Sequence, residues 1–591
     1  MKEKAQHLVQ AVRRWPFAVW CLLTTVAGGL YLSITLVAPL GGDDCINNLS
    51  KAVAVRQQPF WELLGEELAG IWNGLTLQEG RFFPFYFPFS RINWLFCGSV
   101  DSYRLYIIIY TLATAAVLAL LVHRLTGSRR AALSFFALMP LMFCLWSEYS
   151  ANGMYCYGAL PQATLLAAAL AAHCMLSWAK TRHFRWAVGT ALLTFISCGT
   201  YELGYVYIVP LGLFALMQHP KFWDAVKTGL PVLAGECVAL LFYIGNSRVA
   251  AAGNELRYSG VTFSLDIPAI LLTWVQQMSA GFPLNALLLG GAELGTPTAG
   301  DVFLSLLLAA VAAAALYMLR TKLSRKQLVL LFLAGLAILA LPALLIALAA
   351  KYQEGDWVTW RNGYIPAVVE SFGVGLMLLS AALAVFQLLR SARARRTAAV
   401  VLAAALALGG IYQRSSTRAR YESRGLDYDI QVQSLQEGLL DAVPDDAVLL
   451  TNIDVWGASK AAQDLFVECY ADRKIDTWLK TSWTPDQTDP DAPLYQFESY
   501  NNYGGYPVMW SGQVSDASLQ TLETLTVYVA GDVIPDSAVL KYRVLDEDGS
   551  QVERAVKLSE LPQSERTGSN GYFVTVDDEN IVAEKIMIWA G

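Results

Sequence analysis

Apolar runs long enough to cross a lipid bilayer fill the first 412 residues of this chain. A transmembrane helix needs about 20 mainly apolar residues. Hydropathy and flanking charges indicate eleven spans, two of which, 186–200 and 203–217, are short enough to form a hairpin with a tip below the membrane surface. We therefore predict a polytopic α-helical membrane protein. The predicted spans are 15–39, 103–122, 131–146, 158–178, 186–200, 203–217, 228–245, 301–319, 327–350, 364–389 and 397–412.

The charged residues between these runs predict an orientation in the membrane. Basic residues concentrate in alternate loops on the side of the N-terminus, and the positive-inside rule makes that side cytoplasmic. Because the number of spans is odd, the C-terminus is expected outside, and the chain is predicted to be a multi-pass protein of the plasma membrane. The basic groups are Arg124, Arg129 and Arg130; Lys180, Arg182 and Arg185; Lys221 and Lys227; Arg320, Lys322, Arg325 and Lys326; and Arg390, Arg393, Arg395 and Arg396.

Residues 413–591 differ in composition and are predicted to form a separate extracytoplasmic domain after the transmembrane domain, 1–412. They carry 30 acidic and 14 basic residues, whereas residues 1–412 carry 19 and 29. An acidic domain of this kind argues against nucleic acid as a partner. Residue patterns favour a small α/β or α+β module. Its predicted elements are a helix at 459–470 and strands at 447–453, 524–529, 539–545, 572–576 and 585–589.

Two long outer loops, 40–102 and 246–300, separate the spans on the predicted outer side. The first contains an amphipathic stretch, 60–68, and an aromatic run, 82–89, both typical of the membrane interface. In the second, Pro268, Gly281 and Pro283 interrupt the apolar stretch 267–289, which favours a re-entrant or interfacial helix over a full span. Cys45 and Cys97 both fall in the first loop, either as a disulfide pair or as two unpaired residues, and no zinc-binding spacing occurs.

The outer side has no histidine in its loops, because His7, His123, His183 and His219 are on the cytoplasmic side and His173 lies within a span. This distribution disfavours Ser-His-Asp hydrolases and histidine-ligated zinc enzymes. Carboxylates, arginines and aromatic residues remain as the candidate functional groups. The candidate catalytic carboxylates are Asp43 and Asp44 after the first span and Glu202 between the two short spans. The candidate residues for binding substrate or phosphate are Arg81, Glu148, Tyr258, Trp357, Trp360 and Arg361.

This set of residues suits sugar transfer from a lipid-phosphate donor. A carboxylate takes the proton from an acceptor hydroxyl as that hydroxyl attacks the anomeric carbon. Arginine binds the departing phosphate through forked, charge-assisted hydrogen bonds. Aromatic side chains hold the lipid chain at the bilayer edge and pack against sugar faces. A divalent cation, Mg²⁺ or Mn²⁺, is possible at Asp43 and Asp44, although oxygen ligands alone do not require one.

The arrangement of spans and motifs resembles the GT-C superfamily of integral membrane glycosyltransferases. The resemblance covers 1–412 as architecture, and Asp43-Asp44, Gly80-Arg81-Phe82 and Glu202 as motif positions. It implies a polyprenyl-phosphate or polyprenyl-pyrophosphate sugar as donor and a cell-envelope glycan, lipid or protein as acceptor. It also implies that Asp43 or Asp44 is the general base or a metal ligand, and that Arg361 contacts phosphate. The chain departs from the pattern at Cys45-Ile46, where aromatic residues commonly follow the acidic pair.

The sequence is also compatible with two other functions. Glu236 and Glu370 lie within spans, where ionisable residues are the coupling groups of transporters, so a transporter or a lipid or glycan flippase is an alternative. That function predicts an internal repeat, which the sequence does not show. The third possibility is a scaffold whose C-terminal domain binds glycan or a protein partner.

Overall fold

The computed structural model of the chain divides into two compact units. The membrane unit comprises Met1–Leu40 and Phe60–Tyr421, and the C-terminal unit comprises Gly41–Pro59 and Glu422–Gly591. The residues described are 17–41, 43–70, 72–73, 80–86, 92–96, 99–146, 152–219, 221–253, 262–289, 294–319, 322–355, 357–454, 459–500, 505–515, 518–564 and 570–590.

Helices follow the apolar runs. Several helices are continued by 3-10 segments, among them Met139–Met142 and Glu202–Tyr207. Within the described residues the α-helices are α1 Phe17–Leu32, α2 Asp43–Gln57, α3 Phe60–Gly70, α4 Ile92–Phe96, α5 Val100–Thr126, α6 Arg129–Leu138, α7 Leu160–Thr181, α8 Phe184–Thr200, α9 Ile208–Gln218, α10 Phe222–Gly253, α11 Ile267–Ala280, α12 Asn285–Leu288, α13 Ala299–Tyr317, α14 Arg325–Leu348, α15 Ala367–Leu388, α16 Ala392–Gln436 and α17 Lys460–Ala471.

The predicted membrane region is confirmed. In the described part of the chain, eight helices are long and apolar enough to cross a bilayer. Each of the eleven predicted runs falls on helical residues. Eight of the runs correspond to these long helices, and the remaining three correspond to shorter helical segments at 129–142, 184–200 and 202–218. In lipid every backbone N–H and C=O must be hydrogen-bonded within the protein, and a helix satisfies this within its own segment. The chain is therefore a multi-pass α-helical membrane protein.

The interrupted stretch 267–289 forms a short helix and a turn. The Asp266 side chain caps α11 by accepting a hydrogen bond from Ala269 N at 3.1 Å, and Pro268 occupies the first turn. The helix ends at Ala280 after 14 residues, about 21 Å at 1.5 Å per residue. A straight helix of this length is too short to cross a bilayer, in agreement with the prediction that this stretch is not a full span.

Close approach of small residues joins α14 and α15. A Cβ atom built on Gly335 would lie 2.7 Å from Gly373 O, and one on Gly373 would lie 2.5 Å from Gly335 O. Neither position therefore accommodates a side chain without movement of the helix backbones. Small residues at such contacts allow van der Waals packing between helices within a membrane.

A buried charge cluster connects three other helices of the membrane unit. Arg414 on α16 donates from Nε to Asp301 Oδ1 on α13 at 2.6 Å, and Arg418 donates from Nη2 to the same oxygen at 3.2 Å. Arg414 also donates from Nη1 to the carbonyl oxygens of Leu30, at 3.0 Å, and Tyr31 at the end of α1. Asp301 is fully buried, so these arginines supply the counter-charge that a carboxylate needs away from water.

The C-terminal unit is built from strands that the described residues place in two sheets. The strands are β1 Val448–Thr451, β2 Asp476–Leu479, β3 Leu494–Tyr500, β4 Val508–Gln513, β5 Thr521–Leu522, β6 Leu525–Ala530, β7 Val539–Leu545, β8 Gln551–Lys557, β9 Gly571–Val576, β10 Ile581–Val582 and β11 Met587–Trp589. In the larger sheet the strand order is β2-β1-β3-β4-β6-β9, and in the smaller sheet it is β11-β7-β10-β5, with β8 paired to β7.

Parallel and antiparallel strands share the larger sheet. The chain passes from β1 through α17 to the neighbouring parallel strand β2, and Leu449 stands opposite both Thr477 and Tyr495. The remaining pairs of this sheet are antiparallel. Side chains from both sheets, including Trp510 and Leu540, share one hydrophobic core. The prediction of a small mixed α and β module is confirmed.

Removal of the Asp301 charge is expected to destabilise the membrane unit strongly. Asp301→Asn keeps the size and the capping geometry but leaves Arg414 buried without an anion, a change that typically costs about 3–5 kcal/mol. Chemical denaturation in detergent measures the loss. Glu62→Gln, at an exposed carboxylate on α3, is the control and should change stability by less than about 0.5 kcal/mol. A loss as small as that of the control would contradict this role for Asp301.

Candidate functional site

Arg81 and Glu202 come together at the end of α8–α10 that is opposite to the basic loops. Glu202 opens the 3-10 segment between α8 and α9. Gly80 adopts a φ of +72°, and a Cβ atom there would lie 3.2 Å from Ser247 Cα near the end of α10. The left-handed backbone and the close approach both favour glycine at this position. Gly80 thus directs the chain so that Arg81 reaches Glu202.

The two side chains form a forked ion pair. Arg81 donates from Nε and Nη2 to Glu202 Oε1, at 3.2 and 3.0 Å, and from Nη2 to Oε2 at 3.2 Å. The side chain of Arg81 is 15% exposed and that of Glu202 is 31% exposed. Charge-assisted, forked bonds of this type fix the orientation of the guanidinium as well as its charge. Glu202 therefore orients Arg81, and its predicted catalytic role stays a prediction.

Aromatic rings surround the ion pair. The guanidinium of Arg81 lies over the Phe83 ring at 4.5 Å, a cation–π contact. Phe82 stacks on Phe242 of α10 with centroids 5.2 Å apart. The backbone N–H of Phe85 donates to Gly199 O at 3.1 Å. The described part of the aromatic run, 82–86, is thus packed against helices, and Phe82 and Phe83 are buried rather than exposed at an interface.

Trp357, Trp360 and Arg361 lie in the loop before α15. Both tryptophans are about half exposed, at 50% and 43%, and Arg361 is exposed. The loop is closed by Thr359 N donating to Asn362 O at 2.9 Å and by Arg361 N donating to Thr359 Oγ1 at 3.2 Å. Exposed indoles beside a guanidinium form a surface suited to a lipid chain and an anionic headgroup.

Lys351 is a cation at this loop that sequence reasoning did not select. Its Nζ lies 4.8 Å from the centroid of the Trp357 ring and 5.6 Å from that of Tyr352. Its position directly after the apolar run 327–350 is the signal that could have identified it. Tyr201, the residue before Glu202, packs against the cluster that contains Tyr352 and also contacts Phe83 at 6.0 Å between centroids. Tyr201 therefore links this loop to the Arg81–Glu202 pair.

Asp43 and Asp44 form the first turn of α2, in the C-terminal unit. Asp43 is exposed, whereas Asp44 is only 4% exposed. Acidic residues in a first helical turn interact favourably with the helix dipole. The far end of α2 packs on α17, where Arg56 donates to Asp472 Oδ1 at 2.9 Å and to Cys469 O at 2.7 Å. The acidic pair is thus held on an anchored helix and not on a loop.

A free thiol follows the acidic pair. Cys45 is buried, and burial, with smaller contributions from Asp44 and Cys469, raises its pKa to about 12. Burial likewise raises the pKa of Cys469 to about 11. Both thiols are therefore protonated at neutral pH. Cys97, the possible disulfide partner of Cys45, is outside the described residues.

Two predicted site residues, Glu148 and Tyr258, are outside the described residues. The divalent cation at Asp43 and Asp44 stays a prediction. Among the described residues no group of three or more His, Cys, Asp or Glu side chains is arranged to hold a metal ion. Within the membrane unit, the structure brings Arg81 and Glu202 into direct contact.

The two carboxylates of the transporter alternative differ in their surroundings. Glu370, at the start of α15, is fully buried, and its Oε1 accepts a hydrogen bond from Gln277 Nε2 at 3.0 Å. Gln277 Oε1 in turn accepts from Tyr364 N at 2.8 Å, so this pair fixes α11 against the loop before α15. Glu236 on α10 is partly buried. The contacts of Glu370 are those of a residue that joins two structural elements.

Comparison with known proteins gives limited similarity. No protein-family model and no curated protein matches the sequence. Among the solved structures that are similar to this chain are arabinosyltransferase EmbB from Mycobacterium smegmatis and ArnT from Cupriavidus metallidurans. EmbB has 12% identity and a TM-score of 0.29 over 98% of this chain, and ArnT has 13% identity and a TM-score of 0.36 over 82%. The matches cover 63% of the EmbB chain and 93% of the ArnT chain. At these values neither structure decides the activity of this chain.

Cys45 and Cys469 are expected to react slowly with N-ethylmaleimide in the folded protein at pH 8, because the reactive form of a thiol is the thiolate. Their raised pKa values mean that the neutral thiols stabilise the folded unit below pH ~8.5, the ordinary pKa, and that this contribution is lost as the pH rises above it. Mass spectrometry of labelled peptides gives the rates, with denatured protein as the control. Equal labelling rates in folded and denatured protein at pH 8 would contradict the buried, protonated state.

Proposed function

We propose that this chain is an inverting membrane glycosyltransferase. It transfers a sugar from a polyprenyl-phosphate or polyprenyl-pyrophosphate donor to a cell-envelope acceptor on the extracytoplasmic face. The observation that carries the proposal is the forked Arg81–Glu202 pair, which holds an oriented guanidinium among aromatic rings at the helix ends away from the basic loops. Two features of the sequence also support the proposal: the carboxylates on the predicted outer side, and the resemblance of the spans and motifs to GT-C enzymes.

In the proposed reaction, Asp43 or Asp44, with Asp44 preferred, accepts the proton of an acceptor hydroxyl. The oxygen of that hydroxyl forms a bond to the anomeric carbon while the bond from this carbon to the phosphate oxygen breaks. The electron pair leaves with the polyprenyl phosphate, and the configuration at the anomeric carbon inverts. Arginine stabilises the charge that develops on the departing phosphate through charge-assisted hydrogen bonds.

Each candidate residue has a role in this proposal. Arg81, oriented by Glu202, and the exposed Arg361 contact phosphate, and Trp357 and Trp360 contact the prenyl chain or the sugar. Glu148 and Tyr258 are further candidates for substrate contacts. A divalent cation, Mg²⁺ or Mn²⁺, would be held by Asp43 and Asp44, and the effect of EDTA on transfer tests that part separately. The N-terminus is cytoplasmic and the C-terminal unit extracytoplasmic.

Substitution of the acidic pair tests the proposal. Asp43→Asn and Asp44→Asn are assayed in proteoliposomes with radiolabelled polyprenyl-phosphate sugars and cell-envelope fractions. Loss of a general base lowers turnover by about 10²- to 10⁴-fold, so one of the two variants should show this loss while inserting normally. Glu62→Gln is the matched control and should keep full activity. Full transfer activity in both aspartate variants would refute the assignment of the base.

The Arg81–Glu202 pair is tested by exchanging its charges. Arg81→Lys keeps the charge but loses the fork, and turnover is expected to fall by at least tenfold with little change in thermal stability. The double variant Arg81→Glu and Glu202→Arg restores an ion pair but puts the cation at position 202. If the pair acts in transfer, the double variant is more stable than either single charge reversal but does not regain transfer activity. Recovery of both would show that the pair is only structural.

A further inference from the structure

An apolar groove lies between α9 and α10 in the membrane unit. Its volume is about 320 Å³, and every lining residue is apolar or glycine. The α10 positions recur at three- and four-residue intervals, as expected for one face of a helix. The groove therefore runs along the two helices rather than across them. Its principal lining residues are Ile208, Gly212 and Leu216 on α9, and Phe222, Ala225 and Gly229 on α10.

The groove exists because small residues stand on both helices. A Cβ atom added at Gly212 or at Gly229 would meet no atom within 4 Å. The groove opens on the outside of the membrane unit, because its lining residues Val209 and Leu233 are 45% and 43% exposed. In a bilayer the groove therefore faces lipid. Water has no polar partner among these side chains, whereas a hydrocarbon chain has apolar contacts on both sides.

The residues at one end of the groove are those of a membrane–water interface with positive charge. Phe222 and Trp223, at the start of α10, are 61% and 71% exposed. Lys221 is exposed beside them, and Lys326 at the start of α14 donates from Nζ to His219 O at 2.8 Å. The segments 221–230 and 322–327 carry five basic residues and one acidic residue, Asp224. Aromatic and basic residues together are typical of the headgroup level, and basic pockets between membrane helices bind anionic lipids.

We propose that this groove binds one acyl chain of an anionic phospholipid from the leaflet at the basic side, with the lipid phosphate at Lys221 and Lys326. The site is separate from the proposed transfer chemistry. Glu202 precedes α9 at the opposite end of that helix, and Gly80 contacts α10 near Ser247 rather than near Phe222. A polyprenyl donor whose phosphate contacts Arg81 would enter from the other leaflet.

Filling the groove tests the acyl-chain site. Gly212→Leu combined with Gly229→Leu places side chains in the open volume, and leucine favours a helix more than glycine does, so folding is expected to be preserved. Gly245→Leu is the matched control, since it also lies on α10 at an open position but outside the groove. The proteins are transferred from nanodiscs containing phosphatidylglycerol and phosphatidylcholine, and native mass spectrometry counts the lipids that remain bound.

The wild type and Gly245→Leu are expected to retain phosphatidylglycerol, and the filled variant to retain at least tenfold less. Lys221→Gln with Lys326→Gln is expected to keep a bound lipid but to lose the preference for phosphatidylglycerol over phosphatidylcholine. Unchanged phosphatidylglycerol retention in the filled variant would overturn the proposal. So would a raised KM for a polyprenyl-phosphate sugar without loss of phospholipid, because the groove would then hold the donor chain. The lipid count needs no transfer activity, so its outcome is independent of the proposed function.

Discussion

The contact between Asp301 and the arginines of α16 is the interaction on which the membrane unit most depends. One carboxylate receives hydrogen bonds from Arg414 and Arg418, and Arg414 also binds carbonyl oxygens at the end of α1. Three helices that are far apart in the sequence are joined at one point as a result. Because a buried charge is costly without its partner, the cluster allows little variation in how α1, α13 and α16 are arranged. It also fixes the middle of α16 against α13 and α1.

With the helices arranged in this way, the Arg81–Glu202 pair and the basic end of the apolar groove lie at opposite ends of α9. The Arg81–Glu202 pair lies where α8 is followed by α9, and the apolar groove opens beside the basic residues at the start of α10. In the proposed function, the charged groups at the first of these ends contact the donor phosphate. In the proposed lipid site, lysines and aromatic residues lie at the other end, a composition typical of the headgroup level.

Much of the fold could be predicted from the sequence, and the candidate site only in part. The apolar runs predict all eight helices of the described residues that are long and apolar enough to cross a bilayer. The predicted strands 447–453, 524–529, 539–545 and 572–576 correspond to β1, β6, β7 and β9. The predicted strand 585–589 is shorter, because residues 583–585 form a 3-10 turn before β11. Strands such as β8 were missed because β8 is mostly exposed at a sheet edge and its polar sequence lacks an apolar alternation. The sequence identifies both Arg81 and Glu202 as candidates but does not predict that they pair, since 121 residues separate them.

The sequence by itself determined that the chain crosses the membrane repeatedly and where its helices lie. It could do so because lipid leaves the backbone no partner except itself, so that a long apolar run has one stable form. Only the tertiary structure decided which charged groups meet, that α2 packs on α17, and that Gly212 and Gly229 leave an open groove. Those features depend on the distances between side chains from separate helices. Hydropathy and local spacing do not contain that information, because packing between helices sets it.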